Sequence, residues 1–209
     1  MATNSGEHDR IVLNLLNTVE DGATSQRHIA EELGIALGLV NAYLKRCVKK
    51  GLVKVNEVPA RRYAYFLTPS GFAEKSRLTA EYLSSSFSFF RQARSDCTAV
   101  FEFAHLRNFE NLVLAGKSDI AEIAILSATE IGVSIAGIVD RDADTAPLIG
   151  RKVVAAYDLL ALPFDAVVLT DMRHTQRSFD EAVNLVGADR VLVPKLLRLN
   201  IGAGQEGNR

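Results

Sequence analysis

Hydrophobic positions recur at three- and four-residue intervals through the first fifty residues and then change period. In Arg10 to Glu20, RIVLNLLNTVE, the residues Ile11, Leu15, Leu16 and Val19 fall on one helical face, and Asp21-Gly22 marks a stop. The segment TSQRHIAEELG predicts a second helix, with Thr24 or Ser25 as N-cap, Ile29, Ala30 and Leu33 on one face and Gly34 at its end. A third helix follows in ALGLVNAYLKRCVKKG, with Val40, Leu44, Cys47 and Val48 on its apolar side and Gly51 closing it. Two helices joined by so short a glycine-containing turn predict a helix-turn-helix. Two β-prone runs, Leu52–Val55 and Arg62–Leu67, flank a polar loop containing Pro59, and predict a hairpin placed as a wing.

After the hairpin the helical period returns. Thr68-Pro69 reads as an N-cap and first helical residue, and GFAEKSRLTAEYLSSSFSFFRQAR carries Phe72, Leu78, Tyr82, Leu83, Phe87 and Phe90, enough for a helix of more than 20 residues. Two half-sites on DNA need two recognition helices at a fixed spacing, so this helix is expected to pair two copies of the chain as a homodimer. CTAVFEFAHLRN is a further helix candidate.

From Asn111 onward, apolar runs of strand length alternate with helical segments. The strands NLVLAG, VSIAGIVDR, KVVA, DAVVLTD and RVLVP are separated by helices at Ile120–Glu130, Tyr157–Leu162 and QRSFDEAVNLVG. Continuous apolar strands alternating with helices predict a parallel sheet covered on both faces, a Rossmann-like fold. The fold class is α/β overall, divided as follows: residues 1–68 a winged helix-turn-helix, 69–96 a connecting dimerisation helix, 97–198 a Rossmann-like ligand-sensing domain and 199–209 a disordered tail.

Charge supports a division of labour. Residues 1–94 hold 13 Lys+Arg against 9 Asp+Glu, whereas residues 95–209 hold 11 against 16. Seven basic residues lie between Ala36 and Arg62 against the single acid Glu57. On the third helix Asn41, Lys45, Arg46 and Lys49 point outward, and the wing tip adds Arg61 and Arg62. Asparagine pairs bidentately with adenine, and Arg or Lys with guanine or phosphate, so this face suits the major groove of double-stranded DNA. Ser25, Gln26 and Arg27, at the start of the second helix, are placed to hold the phosphate backbone.

The second half offers a candidate nucleotide site at the carboxyl ends of its strands. Gly116 permits a tight turn after the first strand, and Lys117, Ser118 and Asp119 open a helix whose free N–H groups favour a phosphate. Asp140, 24 residues beyond Gly116, stands where an acid would hold ribose hydroxyls, and Thr170, Asp171, Arg173 and His174 follow the fourth strand. Counting from Gly116, the second and third glycines of the dinucleotide fingerprint are replaced by Ser118 and Ala121, which disfavours tight NAD binding.

Other chemistry is sparse. Cys47 and Cys97 form no CxxC pair, and His8, His28, His105 and His174 show no metal spacing. There is no HExxH motif and no nucleophile with a paired base. Asp171 with His174 reads either as an acid–base pair or as an exposed polar loop pair. The expectation is therefore no enzyme, no catalytic residue and no metal. No apolar run approaches the roughly 18 residues of a membrane span, and no secretory leader is present, so a cytoplasmic location away from membranes is expected.

The segments SQRHIAEELGIALGLVNAYLKRCVKKGLVKV and YAYFLTPSGFAEKSRLTAEYL resemble MarR-type winged-helix regulators associated with exopolysaccharide gene clusters, over about residues 10–94. That resemblance implies a transcription regulator binding DNA as a dimer; Leu39 stands where such proteins would carry a basic residue. The stretch LVLAGKSDIAEIAILSATEIGVSIAGIVDRD, continued by LIGRKVVAAYDLLALPFDAVVLT, is similar in layout to the N-terminal domain of bacterial sugar acyltransferases, over about residues 111–171. This second resemblance implies a nucleotide-sugar as effector. Two alternatives stay open: a second domain that serves only assembly, and a small nucleotide-sugar or NAD-dependent enzyme.

Overall fold

The structure, a computed structural model, describes residues 3–23, 25–58, 62–160 and 163–197. Within these the chain divides into two compact units, Met1–Phe87 and Ser88–Arg209. The expected disordered tail, Thr24, Pro59 and Arg61 lie outside the described residues.

The first unit opens with α1 (Thr3–Glu20), which begins seven residues before the periodic stretch that predicts it. Its early turns carry little apolar surface, so periodicity alone does not reach them. Helix α2 (Gln26–Leu33) is capped by the Ser25 hydroxyl, which accepts from the His28 N–H at 3.1 Å, and ends at the left-handed Gly34. Helix α3 (Leu37–Lys49) follows after three residues, Gly34 to Ala36. Strands β1 (Val53–Val58) and β2 (Arg62–Leu67) pair antiparallel from Val53↔Leu67 to Val58↔Arg62, forming the expected wing.

The core of this unit collects Leu15, Leu16, Val19, Ile29, Val40, Leu44, Cys47, Val53, Tyr65 and Leu78. Val48, expected on the buried side of α3, is instead 39% exposed. Cys47 already fills the inward position one residue earlier, and the next residue at 100° around the helix turns away. The Cys47 thiol is buried, and burial pushes its pKa up, as expected for a core thiol.

The connector begins as the Thr68-Pro69 pair predicts. Thr68 Oγ1 accepts from the Gly71 N–H at 3.0 Å and donates to the Gly51 carbonyl at 2.5 Å. The two segments read separately from the sequence form one helix, α4 (Pro69–Leu106), with no break at the serine-rich middle. The serines there are exposed and interrupt no apolar packing, so their weak helix propensity is overridden by the turns on either side.

The second unit is built on β3 (Asn111–Ala115), β4 (Ser134–Val139), β5 (Val153–Val154), β6 (Ala166–Leu169) and β7 (Val191–Leu192). All pairs are parallel, and the order is β5-β4-β3-β6-β7. Strand alternation sends Leu112 and Leu114 to one face, where they meet Cys97, Phe101 and Ala104 of α4 and Ile120, Ala124 and Ala128 of α5 (Asp119–Ile131). Ala115, Val167 and Leu169 meet Ala182 of α6 (Thr175–Val186) on the other face. The sheet is thus covered on both sides, and the Rossmann-like fold is as expected. Tyr157–Leu159 forms a single 3-10 turn, shorter than the helix expected there. Cys97, fully buried in this core, has its thiol pushed up to about 12 by burial.

One polar contact inside this unit has no periodic signature. Asp96 on α4 is buried, and its Oδ2 accepts from the Leu196 N–H at 2.7 Å while Oδ1 accepts from Gln92 Nε2 at 2.8 Å. It ties the segment after β7 to the helix.

Candidate functional site

The outward side of α3 and the wing enclose a groove of about 340 Å³. Its floor is apolar, with Leu44, Val48, Val55 and Tyr65, and its polar lining comprises Gln26, Asn41, Lys45 and Lys49, with Tyr63 on the wing. Asn41, Lys45 and Lys49 recur every four residues, so helical geometry brings them to one side, as the sequence predicts. Gln26, the first residue of α2, joins them. Arg46 does not share this groove: its guanidinium lies 5.6 Å from the ring centre of Tyr43, whose hydroxyl is 3.1 Å from His8 Nδ1. Ser25 is exposed but commits its hydroxyl to capping α2, and Arg27 is exposed. For the wing, Arg62 contributes a strand position and Arg61 falls outside the described residues. Val48, Tyr63 and Val55 are groove residues that the sequence reading missed; for Tyr63 and Val55, strand alternation on the wing was the available signal.

The second unit assembles the expected rim at the carboxyl ends of its strands. Gly116 adopts φ +108°, and a Cβ there would lie 2.5 Å from both Cβ and backbone N of Asp171. The glycine therefore serves close approach by the chain's own β6 loop, at the point where the strand order reverses between β3 and β6. Thr170, fully buried, donates to the carbonyls of Ala115 at 3.1 Å and Gly116 at 2.6 Å, while Ser118 Oγ donates to the Thr170 carbonyl at 2.6 Å. Ser118 also caps α5, accepting from the Ala121 N–H at 3.3 Å.

The acids at this rim are engaged as well. Asp140 Oδ2 accepts from the Lys117 N–H at 2.8 Å, and Oδ1 accepts from the N–H groups of Asp142 and Ala143 at 2.9 and 3.0 Å. Asp171 Oδ1 accepts from the N–H groups of Arg173 and His174 at 2.7 and 2.8 Å, and Oδ2 from Ser178 Oγ at 2.6 Å. Burial alone would raise the Asp171 pKa, but the hydrogen bonds from His174, Ser178 and Arg173 outweigh it and hold the carboxyl below its ordinary range.

Asp171 and His174 accordingly form no acid–base dyad: the bond is to the His174 backbone, and its ring faces Asp142, with Nδ1 3.6 Å from Oδ2. Asp142 also pairs with Arg177 at 2.5 Å, and that guanidinium hydrogen bond holds the Asp142 carboxyl low. Lys117 Nζ bonds the Ala146 carbonyl at 3.0 Å and pairs with Asp144. Asp119 and Arg173 are exposed. The space left among Asp140, Arg141, Tyr157, Asp171, Arg177 and Ser178 is only about 20 Å³, room for about one water. Arg177 was missed because only the tertiary fold brings α6 beside the loop after β4, where Asp142 lies. Its Nε is buried without a partner.

Among the described residues no group of His, Cys, Asp and Glu is arranged to hold a metal ion, and no helix is long and apolar enough to cross a membrane.

Residues 7–54 match the family model described as winged helix-turn-helix DNA-binding. The chain thus carries a DNA-binding winged helix in its first unit, in agreement with the groove. No curated protein matches the chain. The crystal structure of an O-methyltransferase, NcsB1 from neocarzinostatin biosynthesis, in complex with S-adenosyl-L-homocysteine, is similar at 15% identity and a TM-score of 0.35, covering 92% of this chain and 82% of that one. So low a score sets no residue correspondence. The expectation that the chain is not an enzyme rested only on motifs the sequence lacks, and it is withdrawn.

Proposed function

We propose that this protein is a transcription regulator of the MarR-like winged-helix type that binds operator DNA as a homodimer and takes a nucleotide-type metabolite at the carboxyl rim of its Rossmann-like unit. The observation that carries the reading is the groove of α3 and the wing. There Gln26, Asn41, Lys45 and Lys49 converge over an apolar floor inside the segment that matches the winged-helix family model. Amides supply base-edge hydrogen bonds and lysines neutralise phosphate, which together are what a duplex demands.

Homodimerisation is supported by α4. Phe72, Leu83 and Phe87 are each more than 45% exposed, and their 11- and 4-residue spacing puts them on one side of the helix. A second copy of the chain, offering the same stripe, would cover them and set the distance between two recognition helices.

The effector reading rests on the Rossmann-like strand order and on the cations gathered at the rim. Lys117 and Arg177 are each held by an exposed aspartate, Asp144 and Asp142. Such exposed ion pairs contribute little stability, so phosphate oxygens could replace the carboxylates at small cost. A nucleotide-sugar, the effector that the sugar-acyltransferase resemblance implies, has both the phosphates and the ribose for this rim. Ligand-bound and ligand-free states would then differ in operator affinity, as a population shift requires.

The close packing of Gly116 on Asp171 and the roughly one-water space beside it favour a second reading, in which the rim stays shut and this unit serves assembly alone. Titration of the full-length protein with nucleotide-sugars, followed by thermal shift and by operator affinity, separates the two. Stabilisation together with changed affinity supports sensing, whereas neither change at millimolar ligand leaves assembly. The DNA reading itself is tested by fluorescence anisotropy on duplex DNA across a salt series.

A further inference from the structure

On α3 the polar residues that line the groove begin at Asn41; the preceding turn is Leu37, Gly38 and Leu39. That turn has no side chain able to donate or accept a hydrogen bond. Yet Leu37 is 46% and Leu39 42% exposed, so neither is used by the core. Ala42, one position past Asn41, is exposed too. In a helix-turn-helix the first turns of the recognition helix contact base edges. Leucine there can gain only from apolar surface, and the one apolar group displayed in the major groove is the C5-methyl of thymine. Asn41, one turn on from Leu37 and on the same side of the helix, matches the N6/N7 edge of adenine, whereas Leu39 lies about 160° away around the helix, on the side of Arg46.

Gly38 adds an independent observation. A Cβ at this position would meet nothing within 4 Å, and its φ lies outside the positive region, so the fold has no need of glycine there. Glycine is also a poorer helix former than alanine. Its use between two exposed leucines fits a surface that must come close to something outside the chain.

We propose that the first turns of α3 read an A·T-rich core in the operator, with Leu37 packing on a thymine methyl group, Asn41 pairing with an adenine and Gly38, whose position faces outward on the side of Lys45, allowing the helix to seat deeply. The proposal rests on the DNA-binding reading above and adds the base composition that the site prefers. Lys45 and Lys49, one and two turns further along, lie beyond this apolar stretch and supply the attraction to phosphate.

The test is selection of bound duplexes from a random-sequence library by the full-length protein, followed by affinity measurements in which thymines of the enriched core are replaced by uracil. An A·T core is expected, with each uracil at a contacted position weakening binding about fourfold, the worth of one buried methyl group. The L37A variant should lose most of that thymine preference while its circular dichroism stays unchanged. Gly38→Ala should raise the melting temperature and yet weaken binding about tenfold or more.

A G·C core, or equal affinity for thymine and uracil duplexes, overturns this proposal and leaves DNA binding intact. Failure to bind any duplex, with or without salt, overturns the DNA-binding reading and this one together. Unchanged affinity in G38A would show that the helix does not seat as proposed.

Discussion

Gly116 and Asp171 touch backbone to backbone: the turn after β3 packs against the loop after β6 so tightly that a Cβ on Gly116 would lie 2.5 Å from the Asp171 amide nitrogen. In a dinucleotide site a glycine at this turn leaves room for a pyrophosphate. Here the chain itself fills the space, and Thr170 and Ser118 clamp the two loops together.

Gly116→Ala should therefore destabilise the second unit severely, by about 3 kcal/mol or more, because backbone must move and φ +108° is strained for alanine. Thermal unfolding checks this. A melting temperature within a degree of wild type would mean that the two loops are not packed as described.

Asp171 sets a pH dependence whose direction follows from its depressed pKa. A carboxyl held low in the folded state contributes stability above its unfolded value, near 3.9, and that stability is lost as pH falls through the folded value. Asp171→Asn should cost about 2 kcal/mol near neutrality, since three hydrogen bonds lose their charged acceptor. It should also flatten the fall in stability below about pH 4. Urea unfolding at pH 7 and pH 3.5 measures both, and a variant that loses stability as steeply in acid as wild type would assign that dependence to other groups.

For the DNA face, Lys45→Ala and Lys49→Ala should each weaken duplex binding and reduce the slope of log affinity against log salt by about one. Arg46→Ala should have a smaller effect on the slope, because Arg46 stacks on Tyr43 outside the groove. Equal slopes for all three variants would place Arg46 on the phosphates after all.

The double substitution Leu83→Glu with Phe87→Glu puts charge on the exposed apolar side of α4 and leaves the core of the first unit, which holds Leu78 from the same helix, untouched. Sedimentation equilibrium should show a dimer for the wild type and a monomer for this variant, with operator affinity falling at least tenfold as two half-sites become one. A variant that remains dimeric would move the interface elsewhere.

The elements were legible from local signals. Apolar spacing, caps such as Ser25 and stops such as Gly34 act within a few residues, so helix and strand order follows from the sequence. The polar lining of the groove was readable for the same reason, because Asn41, Lys45 and Lys49 share one side of one helix. Sequence also placed Gly116, Asp140 and Asp171 at one end of the sheet, since parallel strands bring their carboxyl ends together.

What those residues do there was decided only by tertiary structure. Whether Gly116 faces a ligand or the chain's own loop depends on β6 lying beside β3, 54 residues away, and on Thr170 reaching back to its carbonyl. Whether Asp140 and Asp171 are free to hold a ligand depends on N–H groups that no side-chain pattern records. The exposed side of Val48 and the pairing of Arg177 with Asp142 are of the same kind. Periodicity states that a residue is apolar or charged, but only packing states which neighbour has already satisfied it.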